Sequence, residues 1–338
     1  MGDPAFAELR PEALADAVKG RRLDGLFALH PDLSVLGELF ARRELIVVHA
    51  AASPYRERSH FDGQQVLESG GALPRQLDTG WLNRALTAIP TGPRPTSVRP
   101  IGVGRTAPLI LTGAAPVTTW APPSLQGAGA DIYEQLSKLY ASTDPEFAAA
   151  LHGASALRGA AGGSAKGLTR ADRLIAEAQQ VARLAAGPEG PRVLALTIDA
   201  WDTHEQAFAK MATPVAVLDG VVGAFRDALG PLWRDTCILA VTEFGRTARL
   251  NGTRGTDHGT ASVAFVAGGG VSGGRVLADW PGVAGPQLHE GRDLRPTLDL
   301  RGLAKGLLME AFDLHRSRLD RDVFPGSASV PALVGLLA

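Results

Sequence analysis

The chain has 338 residues, of which 45% are hydrophobic and 20% charged, with a formal net charge of −1. This is the composition of a folded globular protein rather than a disordered one, and the near-neutral charge lacks the basic footprint of a nucleic-acid binder. The single cysteine, Cys237, excludes an internal disulfide and a CxxC zinc site, and no run of about 18 consecutive apolar residues suggests a membrane span.

The opening residues MGDPAF have neither the basic nor the apolar region of a secretion signal, so the chain as written is expected to carry no leader and to be cytoplasmic. A helical pattern at 33–42 leads into a strand at 44–50 (ELIVVHA), and helical patterns return at 61–69 and 80–89. The segment around 90–125 is rich in Pro, Thr and Gly and reads as a surface excursion, with weak strands at 97–103 and 109–112. Helices are expected at 132–140, 145–157 and 168–186, with a flexible Gly-rich loop at 159–167. A strand at 192–199 (RVLALTID) precedes a helix at 214–229, where Val215, Leu218, Val222 and Phe225 share one face. Strands at 236–242 (TCILAVT) and 262–267 (SVAFVA) and a helix at 297–314 complete the pattern. The strands are almost continuously apolar, as in a parallel sheet buried between helices. Their alternation with helices predicts one α/β doubly wound domain over residues 1–338.

In open α/β sheets, ligands bind beyond the carboxyl ends of the strands, so the polar residues there are the functional candidates. RVLALTID runs into Asp202 and His204, good ligands for zinc or another first-row divalent metal. Asp202 with Glu205 also fits a helix-capping box. TCILAVT runs into Glu243 and Arg246. The carboxylate suits a metal and the planar guanidinium suits an oxyanion, and a plain Glu243–Arg246 ion pair is the competing reading. The loop before SVAFVA delivers Asp257 and His258, a ligand beside an orienting carboxylate or loop polarity alone. Ser59 stands where a helix should begin, with Asp62 three residues on, either as a cap or as a nucleophile at a helix N-terminus. His49 and His60 are further candidates. The loose GxGxxA at 102–107 is followed by a strand-like stretch instead of a helix, and GGGVSGG at 268–274 lacks the Lys of a phosphate loop, so neither reads as a nucleotide site.

Taken together, RSHFDGQQVLESG (58–70), WDTHEQ (201–206), TEFGRTARLNGTRGTDHG (242–259), DWPGV (279–283) and EGRDLRPTLDLRGL (290–303) resemble the bacterial family catalogued as domain of unknown function 1501. The resemblance runs in order from about Gly2 to Gly326. That family is grouped with the alkaline phosphatases and sulfatases. The resemblance therefore implies a three-layer α/β/α sandwich around a central, mostly parallel sheet, with one or two divalent metals at the strand ends. It implies metal ligands at Asp202, His204, Glu243 and His258, with Asp257 beside them, and a nucleophile at Ser59. It also implies an upstream strand ending in a ligand Asp that this chain does not contain, and an export signal of the twin-arginine type carried by many members. The function expected from these residues is hydrolysis of a small anionic phosphate or sulfate ester. The alternatives are a non-catalytic exported binding or assembly protein that keeps the fold, and an enzyme using the same metals on another substrate such as a glycan. The sequence leaves oligomeric state open.

Overall fold

The computed structural model describes residues 2–89, 100–121, 130–144, 148, 168–188 and 190–338. Its principal elements are α1 (Ser34–Ala41), β1 (Leu45–Ala52), α2 (His60–Ser69), α3 (Trp81–Ala88), β2 (Pro100–Val103), β3 (Thr118–Trp120), α4 (Ala130–Thr143), α5 (Arg170–Ala186), β4 (Val193–Ala195), α6 (Ala207–Leu229), β5 (Ile238–Ala240), β6 (Ser262–Ala267), β7 (Arg275–Leu277), β8 (Leu298–Asp299) and α7 (Leu300–Phe312). The helix expected at 145–157 and the loop at 159–167 lie outside the described residues, apart from residue 148.

The fold is α/β with mixed and parallel sheets. In the larger sheet β1 is central. β6 pairs antiparallel along one side of it, and β5 pairs antiparallel with β6. On its other side β7 runs parallel to Ile46–Val48 and β8 runs parallel to Ala51 and Ala52. Only β6 is reversed in this sheet, so β1 and β5 end on the edge where β6 begins. A second sheet, β3-β2-β4, is parallel throughout.

The continuous apolar run of β1 has the expected consequence. Leu45 and Val47 pack in one core with α1, α5, α6 and the β2/β4 residues Ile101 and Val193. Ile46 and Val48 pack in another with Ala264, Val266 and the α7 residues Leu300, Leu303 and Leu307. Helices therefore cover both faces of β1. Leu45, Ile46 and Val48 are 0% exposed, and each such burial contributes about 1.5–3 kcal/mol.

Helix α6 is longer than its sequence pattern suggests. It starts at Ala207 and carries Pro214 inside it. The first turn is held from outside: Gln206 N–H donates to the Thr253 carbonyl at 3.1 Å and Ala207 N–H to Arg254 at 2.8 Å. Those bonds satisfy donors that a helix start leaves unpaired. By length and hydropathy alone, Ala207–Asp235 is the one described helix long and apolar enough to cross a membrane. Here it is a core helix, with Val215, Val217, Val221, Val222 and Phe225 buried. It also carries buried Asp219, whose carboxylate accepts Val35 N–H and Leu36 N–H at 2.9 Å each and caps α1.

Residues 109–112 were expected as a strand, but Leu109–Leu111 forms a 3-10 turn after Pro108. Its backbone bonds locally and to α2: Ile110 N–H donates to Glu68 Oε2 at 2.9 Å, so it forms no ladder.

Candidate functional site

Four chain segments meet at the common edge of β1 and β5. The turn after β1 supplies Arg58, Ser59 and His60; the segment after β4 supplies Asp202 and His204; the segment after β5 supplies Glu243 and Arg246. The loop entering β6 supplies Asn251, Asp257 and His258. That loop is laced to the segment after β4, since Thr256 N–H donates to the Thr203 carbonyl at 2.9 Å. Gly255 lies so close that a Cβ there would collide with the His204 carbonyl. Non-glycine residues with positive φ cluster here: Arg58 (60°), Ala200 (77°), Gln206 (46°) and Arg254 (58°). Strained backbone of this kind persists where surrounding structure holds it, and it concentrates at functional sites.

Asp202 is the hub. Its Oδ1 lies 2.9 Å from His204 Nε2 and 3.3 Å from His258 Nε2, and its Oδ2 lies 3.4 Å from His60 Nε2. His204 Nε2 and His258 Nε2 are 3.0 Å apart. Ligand atoms of His60, Asp202 and His258 all fall within 4.8 Å of one another.

The ring partners fix the tautomers. His258 Nδ1 faces the Arg58 carbonyl at 2.7 Å. A carbonyl only accepts, so Nδ1 carries the proton and, in the neutral ring, Nε2 presents its lone pair to the cluster. His60 Nδ1 lies 2.6 Å from Glu243 Oε1, an acceptor that draws the proton to Nδ1, so in the neutral ring Nε2 is the lone-pair nitrogen. His60 Nε2 is hidden from solvent and has no hydrogen-bond partner. His204 Nδ1 lies 3.4 Å from Asp257 Oδ1, and Asn251 Nδ2 donates to the same oxygen at 3.0 Å.

Charge is arranged accordingly. Burial alone would raise the Asp202 carboxyl, but the hydrogen bond and charge of Arg246, with His204 and His60 adding, hold it below the usual carboxylate range. Asp257 is also held low, chiefly by the Asn251 hydrogen bond, against a small opposing effect of burial and with help from His204. Phe244 forms an apolar floor, with its ring 4.8 Å from His60 and 5.1 Å from His258. The cluster is open on its other side, where the side chains of Asp202 and His204 are 43% and 48% exposed.

Asp202, His204, Glu243, Arg246, Asp257 and His258 thus lie together at this edge, with His60 among them. Several local alternatives are corrected. Asp202 and Glu205 make no capping box: α6 begins at Ala207, and Glu205 pairs with Lys210 at 2.6 Å. Arg246 pairs with Asp202 and not Glu243, and it also binds Thr256 through Nε at 2.9 Å and through Nη2 to the carbonyl. Asp257 faces His204 and not its neighbour His258. Ser59 occupies the N-cap of α2, but its side chain makes no capping bond, and its N–H donates to Tyr55 Oη at 3.2 Å. His49 stands apart. Its ring stacks on Phe27 at 4.7 Å and meets Trp280 edge-on at 5.0 Å, and burial pushes its pKa down to about 4. Asn251, Arg58 and Phe244 were not singled out from sequence. Their nearness in sequence to His258, Ser59 and Glu243 was the available signal.

The fold and site define a class: an α/β protein whose strand ends gather three histidines and a set of carboxylates around one exposed mouth. The chain belongs to the family described as "Protein of unknown function (DUF1501)", whose model matches residues 48–323 and so includes every residue of the cluster. No curated protein and no solved structure matches it.

Proposed function

We propose that the chain is a metal-dependent hydrolase of phosphate or sulfate esters, built on an alkaline-phosphatase-like sandwich. One observation carries the reading. His60 Nε2 and His258 Nε2 offer lone pairs beside the Asp202 carboxylate, and the hidden His60 Nε2 has no donor to meet it. Electron-rich atoms crowded in this way repel one another unless a cation lies among them. Two imidazoles and a carboxylate, with His204 within reach, make a donor set suited to zinc or another first-row divalent ion.

The residues divide the work. His60, Asp202 and His258 would hold the ion, and His204 would complete the set. Glu243 and Asp257 accept hydrogen bonds from the Nδ1–H groups of His60 and His204, which aims their Nε2 atoms. Glu243, expected as a ligand, therefore serves as the orienting partner of one. The bound ion would supply Lewis-acid polarisation of the ester oxygen. Ser59 sits at the N-terminus of α2 with its hydroxyl uncommitted to capping, where the free N–H groups favour an anionic group. Its Oγ would bond to phosphorus or sulfur as the ester oxygen departs with the hydroxyl proton, and water would then cleave the Ser59 ester, restoring the hydroxyl and releasing the acid. Arg246 lies at the rim, where it balances negative charge on Asp202 and on the transferred group.

The test is metal analysis of purified, zinc-reconstituted protein together with turnover of aryl phosphates, phosphodiesters and aryl sulfates. Bound zinc with turnover lost in Ser59→Ala is the expected result. Absence of bound metal removes the reading. Bound metal without turnover of any of these esters transfers the case to a binding or assembly protein that keeps the centre.

A further inference from the structure

Arg58 lies immediately before Ser59 and His60, in the left-handed region at φ 60°. That conformation costs a non-glycine residue of order 1–3 kcal/mol and needs support from elsewhere. The support is visible. Arg58 Nε donates to Asp293 Oδ2 at 2.9 Å, and Nη2 lies 2.8 Å from the same oxygen and 2.5 Å from Glu290 Oε2. Asp293 is 0% exposed, so this anchor is embedded in the fold. The turn that carries it is stitched to the site loop: Thr247 bridges Asp293, and Ala248 N–H donates to the Arg292 carbonyl at 3.0 Å. The other end of the same residue, its carbonyl, receives His258 Nδ1–H at 2.7 Å.

We infer that Arg58 is a positioning residue: the clamp of Asp293 and Glu290 on its guanidinium holds the left-handed backbone that points its carbonyl at His258, and so keeps His258 Nε2 free for a divalent cation. The consequence for metal rests on the reading of the cluster as a metal centre; the control of the His258 tautomer does not. An imidazole released from such an acceptor tends to place its proton on Nε2, the atom that must be bare to bind a cation. Arg58 therefore acts on the cluster without touching the ion, through one carbonyl and one ring.

The experiment has two readouts on metal-free protein. Long-range ¹H–¹⁵N correlation of the imidazoles reports which His258 nitrogen bears the proton, and calorimetric titration with zinc alone reports affinity. The variants are Arg58→Gln, which removes the clamp and leaves a side chain that disfavours positive φ, and Glu290→Gln, which weakens the clamp at its exposed end. The wild type should show the Nδ1–H pattern. Arg58→Gln should shift His258 toward Nε2–H and weaken zinc binding about tenfold or more, with Glu290→Gln moving both the same way by less. A folded Arg58→Gln protein that retains the Nδ1–H pattern overturns the inference, even if zinc still binds the wild type. If that variant does not fold, an unchanged His258 pattern in Glu290→Gln overturns it instead. A wild type that takes up no zinc, with the tautomer still shifting in Arg58→Gln, removes the metal centre and leaves the clamp standing.

Discussion

Two polar clusters in this protein are built on opposite rules. Lys305, on α7, is 0% exposed, and its ammonium donates to Asp320 Oδ1 at 2.5 Å, the Ser327 carbonyl at 2.7 Å and the Val330 carbonyl at 3.0 Å. Asp320 is in turn bonded by Arg316 Nε at 2.9 Å. All three ammonium donors have acceptors, and the cluster needs nothing from outside. Around Asp202 the balance fails: two histidines turn bare nitrogens inward, and one of these, hidden from solvent, has no partner. A complete polar network is a structural joint, and an unmatched buried polar atom is where the proposed cation would bind.

The first way to test this contrast is to break the complete cluster. Lys305→Met removes the buried partner of Asp320, which keeps only its bond from Arg316 Nε, so the loss should be about 3 kcal/mol, the low end for breaking a buried pair. Chemical denaturation should show that loss, and part of it should return in the Lys305→Met, Asp320→Asn pair. A loss under 1 kcal/mol would remove Lys305 from the structural side of the contrast.

His49 is an imidazole buried for packing, and it adds a second test. Burial holds its pKa at about 4 against 6.5 for an unconstrained histidine. Between those values the unfolded chain binds a proton that the folded chain refuses. Stability must therefore fall as pH drops from 6.5 toward 4, by on the order of 3 kcal/mol at most. His49→Phe should flatten that part of the stability–pH curve, and an unchanged slope would place the acid sensitivity elsewhere.

The incomplete cluster should respond to metal in the reverse way. Zinc at a hundred times its dissociation constant should stabilise the wild type by about 2.7 kcal/mol. His60→Ala and His258→Ala should lose this gain while their metal-free stability stays within about 1 kcal/mol of wild type, because each ring gives up a single Nδ1 hydrogen bond at a partly exposed site. A larger metal-free loss would make these histidines structural. The finest test is Glu243→Gln. A neutral partner orients His60 less firmly, and zinc affinity should drop 10–100-fold, or about 1.4–2.7 kcal/mol, in a calorimetric titration.

The strand-end rule was enough to find most of the cluster in the sequence. Asp202, His204, Glu243, Arg246, Asp257 and His258 all follow or precede strands whose apolar runs are plain. Those strands, Val193–Ala195, Ile238–Ala240 and Ser262–Ala267, fall within the predicted ones, whereas Thr118–Trp120, Arg275–Leu277 and Leu298–Asp299 were not foreseen. Roles were less legible than places. Whether a carboxylate meets a metal or an imidazole depends on tautomers, and those depend on groups such as the Arg58 carbonyl, 200 residues from His258. The same distance problem hid the Arg58 clamp, whose acceptors are 235 and 232 residues away. Local rules misled where tertiary bonds replaced them. The box predicted at Asp202 gave way to donors pairing with the 251–256 loop, and the run at 109–112 turned because its amide found Glu68.

The span of the cluster along the chain has a consequence for biogenesis. His60 meets Glu243 across 183 positions, and Arg58 meets Asp293 across 235. No early fragment emerging from the ribosome holds the full cluster, and long-range closures of this sort come late and slowly. Zinc capture would then report that assembly is finished: a chain stalled short of the turn at Glu290 would offer its histidines unaligned, and metal would favour the completed molecule over every partial one.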